Sequence, residues 1–142
     1  MEAWLLTSTI LLPLTGAVVL MLLPVSCGLL VRLVAAVAAG LTVPVSLWLC
    51  WKYDLRRGGF QFDHHVSWVP SLGIGYHVAV DGISLTLILL TALIIAFGVF
   101  ASWTQQHRTK EFLSLLLLLA SGVFGVFASR DLFFLFLFYE VA

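Results

Sequence analysis

Hydrophobic residues in this chain come in long runs separated by short polar breaks, and the breaks define five apolar segments. Residues 4–23 carry no charge and, at 1.5 Å per residue, are long enough to cross a ~30 Å hydrocarbon core as a helix. Pro13 and Gly16 lie inside this run; neighbouring helices can satisfy a carbonyl freed by proline, so a kink is predicted rather than a break. A short turn over 24–28 leads to a second span, 29–51, whose single charge, Arg32, lies near its start, where a long side chain can reach the interface. Ala36, Gly40 and Pro44 recur every four residues and predict a close-packing face.

A third span covers 83–103, with Ser84, Thr91, Gly98 and Ser102 along one face. Residues 105–110 form a polar turn. The fourth span, 111–129, has Thr109 as a predicted cap and Glu111 at the positive end of its dipole. Its Ser121, Gly125 and Ser129 make a ladder of small residues suited to tight packing. Arg130 and Asp131 turn the chain again, with Asp131 a predicted N-cap, and 132–142 form the first half of a fifth helix.

Residues 52–80 have a different period. From Phe60 onward, apolar residues at 60, 62, 66 and 68 alternate with Gln61, Asp63, His65 and Ser67, and after Pro70-Ser71 the alternation resumes from Leu72 to Val80. A period of two marks half-buried strands, so a β-hairpin lying on the membrane surface is predicted. Asp81 follows as the predicted N-cap of the third span. The fold class is therefore all-α integral membrane, with four transmembrane helices, the first half of a fifth, and an extramembrane hairpin between helices two and three.

Composition agrees with a membrane protein: 62% of the 142 residues are hydrophobic, 10% are charged and the mean hydropathy is +1.13. No Lys or Arg precedes the first run, so that run is expected to stay as a span rather than be cleaved as a signal peptide. Seven basic residues balance seven acidic ones, which supplies no basic surface for nucleic acid. With five spans, Arg32, Arg108 and Lys110 fall on one side and Lys52, Arg56, Arg57 and Arg130 on the other, too even a split to orient the chain. Cys27 and Cys50 would lie roughly 35 Å apart along one helix, too far to bridge, and both read as buried thiols rather than lipidation sites.

The candidate chemistry is a single carboxylate. Glu140 lies nine residues after Asp131, roughly 13 Å along a helix and so near mid-membrane, where an ionisable group is a functional candidate by default. Burial in hydrocarbon disfavours a charged carboxylate and a nearby Lys⁺ favours it, a balance suited to loading and unloading protons. A helix-to-helix hydrogen bond is the plainer role open to such a residue. Metal binding by Asp63, His64, His65 and His77 is disfavoured because adjacent strand residues point to opposite faces. His107, Arg108 and Lys110 read as a solvated turn, and Phe133, Phe134, Phe136, Phe138 and Tyr139 as lipid and helix packing. No Gly-rich phosphate loop or Cys cluster occurs, so no flavin, iron–sulfur or NADH site is expected.

Trp68-Val69-Pro70, Val80-Asp81-Gly82-Ile83-Ser84-Leu85, the run KEFLSLLLLLASGVFGVF, and Asp131 with Glu140 occur in an order and spacing that resemble the antiporter-like chain M family of respiratory complex I, equivalent to mitochondrial subunit 4. The sequence departs from that pattern at Tyr139, where Trp is frequent, at Ala120-Ser121-Gly122, where Glu-Thr-Gly is frequent, and at Thr86, where Pro is common. The resemblance implies a proton-translocating membrane-arm subunit of an NADH:quinone oxidoreductase, itself without redox cofactors. It places Glu140 at the fifth-helix glutamate, which couples to a lysine on a later helix. It further implies a multi-pass protein of the bacterial inner membrane, with the N-terminus and hairpin on the periplasmic side and other membrane-arm subunits as partners. The residues would cover about the first third of such a subunit. A chain end inside hydrocarbon leaves polar groups unsatisfied, so a second polypeptide or a continuation is expected to complete the fifth helix. Two further readings stand beside this one: the D subunit of a multisubunit Na⁺/H⁺ antiporter or the equivalent part of a membrane-bound hydrogenase, and a non-transporting accessory or assembly protein.

Overall fold

The structure, a computed structural model, describes residues 3–24, 28–104 and 107–142. Cys27 and parts of the two expected turns, 25–27 and 105–106, lie outside the described residues. The elements in order are α1 (Ala3–Leu22), α2 (Gly28–Lys52), β1 (Gln61–Val69), a single 3₁₀ turn at Pro70–Leu72, β2 (Ile74–Val80), α3 (Gly82–Ala101), a second 3₁₀ turn at Ser102–Thr104, α4 (Thr109–Ala128) and α5 (Leu132–Val141). Four helices are long and apolar enough to cross a membrane, and α5 is a shorter apolar helix. The fold class read from the sequence holds.

Small residues decide which faces meet, because in lipid the gain from close approach comes from van der Waals contact rather than from expelling water. A Cβ added at Gly16 of α1 would come within 2.6 Å of the Ala38 Cβ on α2, so these backbones approach as closely as they do only because Gly16 lacks one. The buried face of α2 is Val31, Ala35, Ala38, Ala39, Thr42, Ser46 and Leu49. Of the three residues spaced by four, Ala36 is half-buried against the core, but Pro44 is exposed and Gly40 has open space where a Cβ would sit, so the expected close-packing face does not extend to Gly40 and Pro44. Several rows on a helix have a period of four, and which one turns inward is set by the partner helix.

The Ser121, Gly125 and Ser129 ladder does face other elements. The Ser121 hydroxyl donates across to the Ile10 carbonyl of α1 at 3.0 Å. A Cβ on Gly125 would overlap the Phe138 ring of α5. Thr42 and Ser46 donate back to Ala39 and Thr42 carbonyls within α2, so these buried hydroxyls are satisfied inside their own helix. α4 begins at Thr109 itself, and Arg108, in left-handed conformation (φ 50°), holds the cap position without a side-chain cap. The expected Thr109 cap is thus corrected; a guanidinium has no acceptor to offer, and Arg108 instead ion-pairs through Nε with Glu111 at 2.8 Å.

The hairpin is antiparallel, pairing Gln61 with Val80, His65 with His77 and Val66 with Tyr76. An irregularity between Gln61 and His64 contains Phe62, at φ 59° and buried, which strict alternation does not anticipate. β2 lies on the helix ends, with Val78, Ala79 and Val80 buried. Tyr76 donates to the Thr7 hydroxyl of α1 at 3.3 Å, and burial pushes its phenol up, more than that bond lowers it, so it stays a neutral donor. On the other side Tyr76 meets Phe134 of α5 edge-on, with ring centroids 5.5 Å apart.

Two aspartates end the polar segments. The Asp81 carboxylate accepts from the Ser84 amide at 2.7 Å, and that bond holds it below the usual carboxylate range despite slight burial. Asp131 accepts from the Phe133 amide at 2.8 Å and the Phe134 amide at 3.4 Å, and through its other oxygen from Gly75 of the hairpin at 3.2 Å. Partial burial raises the Asp131 carboxyl, but these three amides and the charge of His77 outweigh it and leave it below the ordinary range.

Two outcomes are expected. Gly125→Leu overpacks the α4 and α5 contact and should lower stability by about 1–3 kcal/mol in detergent unfolding, with Phe138→Ala in the same chain recovering part of the loss. Equal stability of Gly125→Leu and the parent would contradict the close approach. Because the folded Asp131 value is depressed, its contribution is complete above an unfolded value of ~3.9 and is lost as pH falls through the lower folded value. Hydrogen exchange at Phe133 and Phe134 should therefore quicken in that acid range, after correction for intrinsic exchange, and Asp131→Ala should already show the quickened rate near neutral pH.

Candidate functional site

α5 starts where Asp131 fixes it. The chain reaches it through a bridge to the hairpin: Ser129 pairs with Val78, and the Arg130 amide donates to the His77 carbonyl at 2.8 Å. The Arg130 guanidinium lies over the Phe60 ring, 4.0 Å from its centroid, and 3.6 Å from the Asp63 carboxylate. Asp63 also meets His77 Nε2 at 2.9 Å. Direction and start of α5 are thus set by contacts from three parts of the hairpin.

The aromatic run then divides by face. Phe134 and Phe138 are half-buried against the hairpin and α4, while Phe136 and Tyr139 are 63% and 66% exposed. Glu140 falls on the open side. With Phe133, Phe136, Leu137 and Val141 it lines a shallow depression of about 460 Å³ whose other walls are entirely apolar. Among the described residues no hydrogen bond or ion pair reaches Glu140. The geometry is that of one carboxylate on an apolar surface, nine residues beyond its helix cap, at roughly 13 Å along the axis. Such a group can take up or give up a proton, or pair with a cation on an element packed against this face.

Asp81, Asp131 and Glu140 do not converge. Asp131 meets Gly75 of β2 near the hairpin turn, Asp63 meets His77 and Arg130, Asp81 caps α3, and Glu140 stands apart. His64 turns toward Trp4, Thr7 and Tyr76, whereas His65 packs against His77, so the adjacent imidazoles face opposite ways. No group of three His, Cys, Asp or Glu is placed to hold a metal among the described residues. Cys50 is a half-buried free thiol on α2.

One arrangement is absent from the sequence reading. Lys110, taken there as part of a solvated turn, donates to the Met21 carbonyl at 2.9 Å and the Leu23 carbonyl at 2.5 Å, satisfying the end of α1. Arg32, read as reaching for the interface, lines a cavity with Arg108 and Lys110. The only signal available beforehand was that counting spans puts these three cations on one side.

No protein-family model matches the chain. Individual relatives do. It is 35% identical over 137 residues to NAD(P)H-quinone oxidoreductase chain 4-2 of Synechocystis sp., 38% identical over 137 residues to chain 4 2 of Thermosynechococcus vestitus, and 35% identical over 137 residues to chain 4 1 of Nostoc sp.. Each similarity runs through 96% of this chain and covers 24%, 26% and 26% of the respective relatives. The chain thus spans about a quarter of their length, a smaller share than the third implied by the motifs. Identity of 35–38% through 96% of the chain means that this chain matches one part, about a quarter, of proteins of the NAD(P)H-quinone oxidoreductase chain 4 family.

Proposed function

We propose that this chain contributes to a proton-translocating membrane-arm subunit of a complex I type NADH:quinone oxidoreductase, with Glu140 as a proton-carrying group. The observation that carries the reading is the position of Glu140: a carboxylate exposed on an otherwise apolar helix face, at a depth where water is scarce. A charge there is costly unless a cation or a water path meets it, so the face around Phe136, Leu137 and Glu140 is the surface on which further membrane helices pack. Names of the relatives supply the enzyme class; in this reading redox chemistry belongs to other subunits. Orientation follows the same reading: the N-terminus and hairpin face the periplasm of a bacterial inner membrane, and the starts of α2 and α4 face the cytoplasm.

Glu140→Gln keeps the shape and hydrogen-bonding reach of the side chain but cannot ionise. In the assembled complex reconstituted into liposomes, it should lower the protons moved per electron pair while electron transfer and subunit content persist. Glu140→Asp should retain part of the pumping. An unchanged proton-to-electron ratio in Glu140→Gln would remove Glu140 from the path, and loss of assembly alone would assign it a packing role.

A further inference from the structure

At the end of the bundle opposite the hairpin lies a cavity of about 450 Å³. Gly28 and Thr109, the first residues of α2 and α4, both line it, so the positive ends of two long helix dipoles lie at one hollow. Arg32, Arg108 and Lys110 also line it, and among the described lining residues one carboxylate, Glu111, stands against these three cations. Glu111 is exposed and its carboxylate lies 2.8 Å from Arg108 Nε, and a guanidinium carries further donors besides that one. Two of the three Lys110 ammonium donors go to the carbonyls of Met21 and Leu23 at the end of α1, which fixes its position at the rim. Arg32 is half-buried in the wall.

Size and level narrow the ligand. A water molecule occupies ~30 Å³ of liquid, so the cavity holds far more than a chloride-sized ion and admits a phosphate ester with part of its hydration. Arginine forks together with helix N-termini are the chemistry that recognises phosphate oxygens. The cavity sits where spans begin, and Trp103, stacked on Phe100 with centroids 6.4 Å apart, stands at the end of α3, which the topology brings to the same end. A tryptophan at a span end marks headgroup level.

We propose that this cavity binds a phosphate-bearing anion. Two sources share that chemistry: the headgroup of an anionic phospholipid, present at this level of the bilayer, and free inorganic phosphate. The site lies at the opposite end of the bundle from the hairpin and the α5 cap, and it is independent of the role given to Glu140.

The test uses the full chain in a neutral detergent, with retained lipid read by native mass spectrometry and inorganic phosphate by calorimetry. Phosphatidylglycerol should be retained in preference to phosphatidylcholine of the same acyl chains, and raising the salt concentration should weaken the adduct. Neutralising one cation, by Arg108→Gln or Arg32→Gln, should weaken binding roughly five-fold, the effect of ~1 kcal/mol per charge near an anionic surface. Arg108 is exposed, so Arg108→Gln keeps the test readable if Arg32→Gln does not fold. Phosphate binding that Arg108→Gln weakens, without lipid preference, supports the site with the free anion as its ligand. Equal retention of both lipids with no phosphate binding, or adducts unchanged in Arg108→Gln, would overturn it.

Discussion

The carboxylate of Asp131 holds the two halves of this structure in one register. One oxygen accepts from the first-turn amides of α5 and the other from Gly75 of the hairpin, so a single side chain both starts the helix and attaches it to the surface strand. The backbone bridge through Arg130 and the ring contacts of Phe134 with Tyr76 and Trp68 run parallel to it. These contacts lie at the membrane surface, where water and aspartate oxygens can satisfy free amides. From there α5 descends with its direction already determined. The depth of Glu140 follows from that start, and its facing from the start together with the packing of Phe138 against Gly125 of α4.

Below the surface the same constraint takes another form. Hydrocarbon offers no partner to an unsatisfied polar group, so hydroxyls either bond back to their own helix, as Thr42 and Ser46 do, or across to a neighbour, as Ser121 does to Ile10. Lys110 applies it at the far end, where α1 finishes and its last carbonyls need donors. Close contact at Gly16 and Gly125 supplies what polar bonds do not, letting whole backbones touch. A bundle made this way tolerates polar residues only where their partners are preset, and Glu140 departs from that rule.

Much of the fold was legible because each signal was local. Uninterrupted apolar runs gave the spans, a switch to period two between Phe60 and Val80 gave the hairpin, and the type and placement of Asp81 and Asp131 indicated helix starts. What stayed hidden depended on partners distant in sequence. The inward face of α2 could be chosen only by the helices around it, so a four-residue spacing that marked Ala36 failed at Gly40 and Pro44. The bond from Lys110 to residues 21 and 23, and the grouping of Arg32 with Arg108, required knowing that α2 and α4 begin side by side. The bulge at Phe62 was invisible because it depends on an irregularity in strand pairing rather than on composition. As for the candidate site, the sequence singled out Glu140 by type and depth, while the apolar depression around it required the packed helix.

In the proposed role, Glu140 changes its protonation during turnover. Difference infrared spectroscopy on the assembled complex reads carboxyl protonation directly, without depending on the tightness of vesicles. A carboxyl stretching band should appear or disappear on turnover, shift in deuterated water, and be missing from Glu140→Gln while other bands remain. A spectrum identical in the parent and in Glu140→Gln would contradict it.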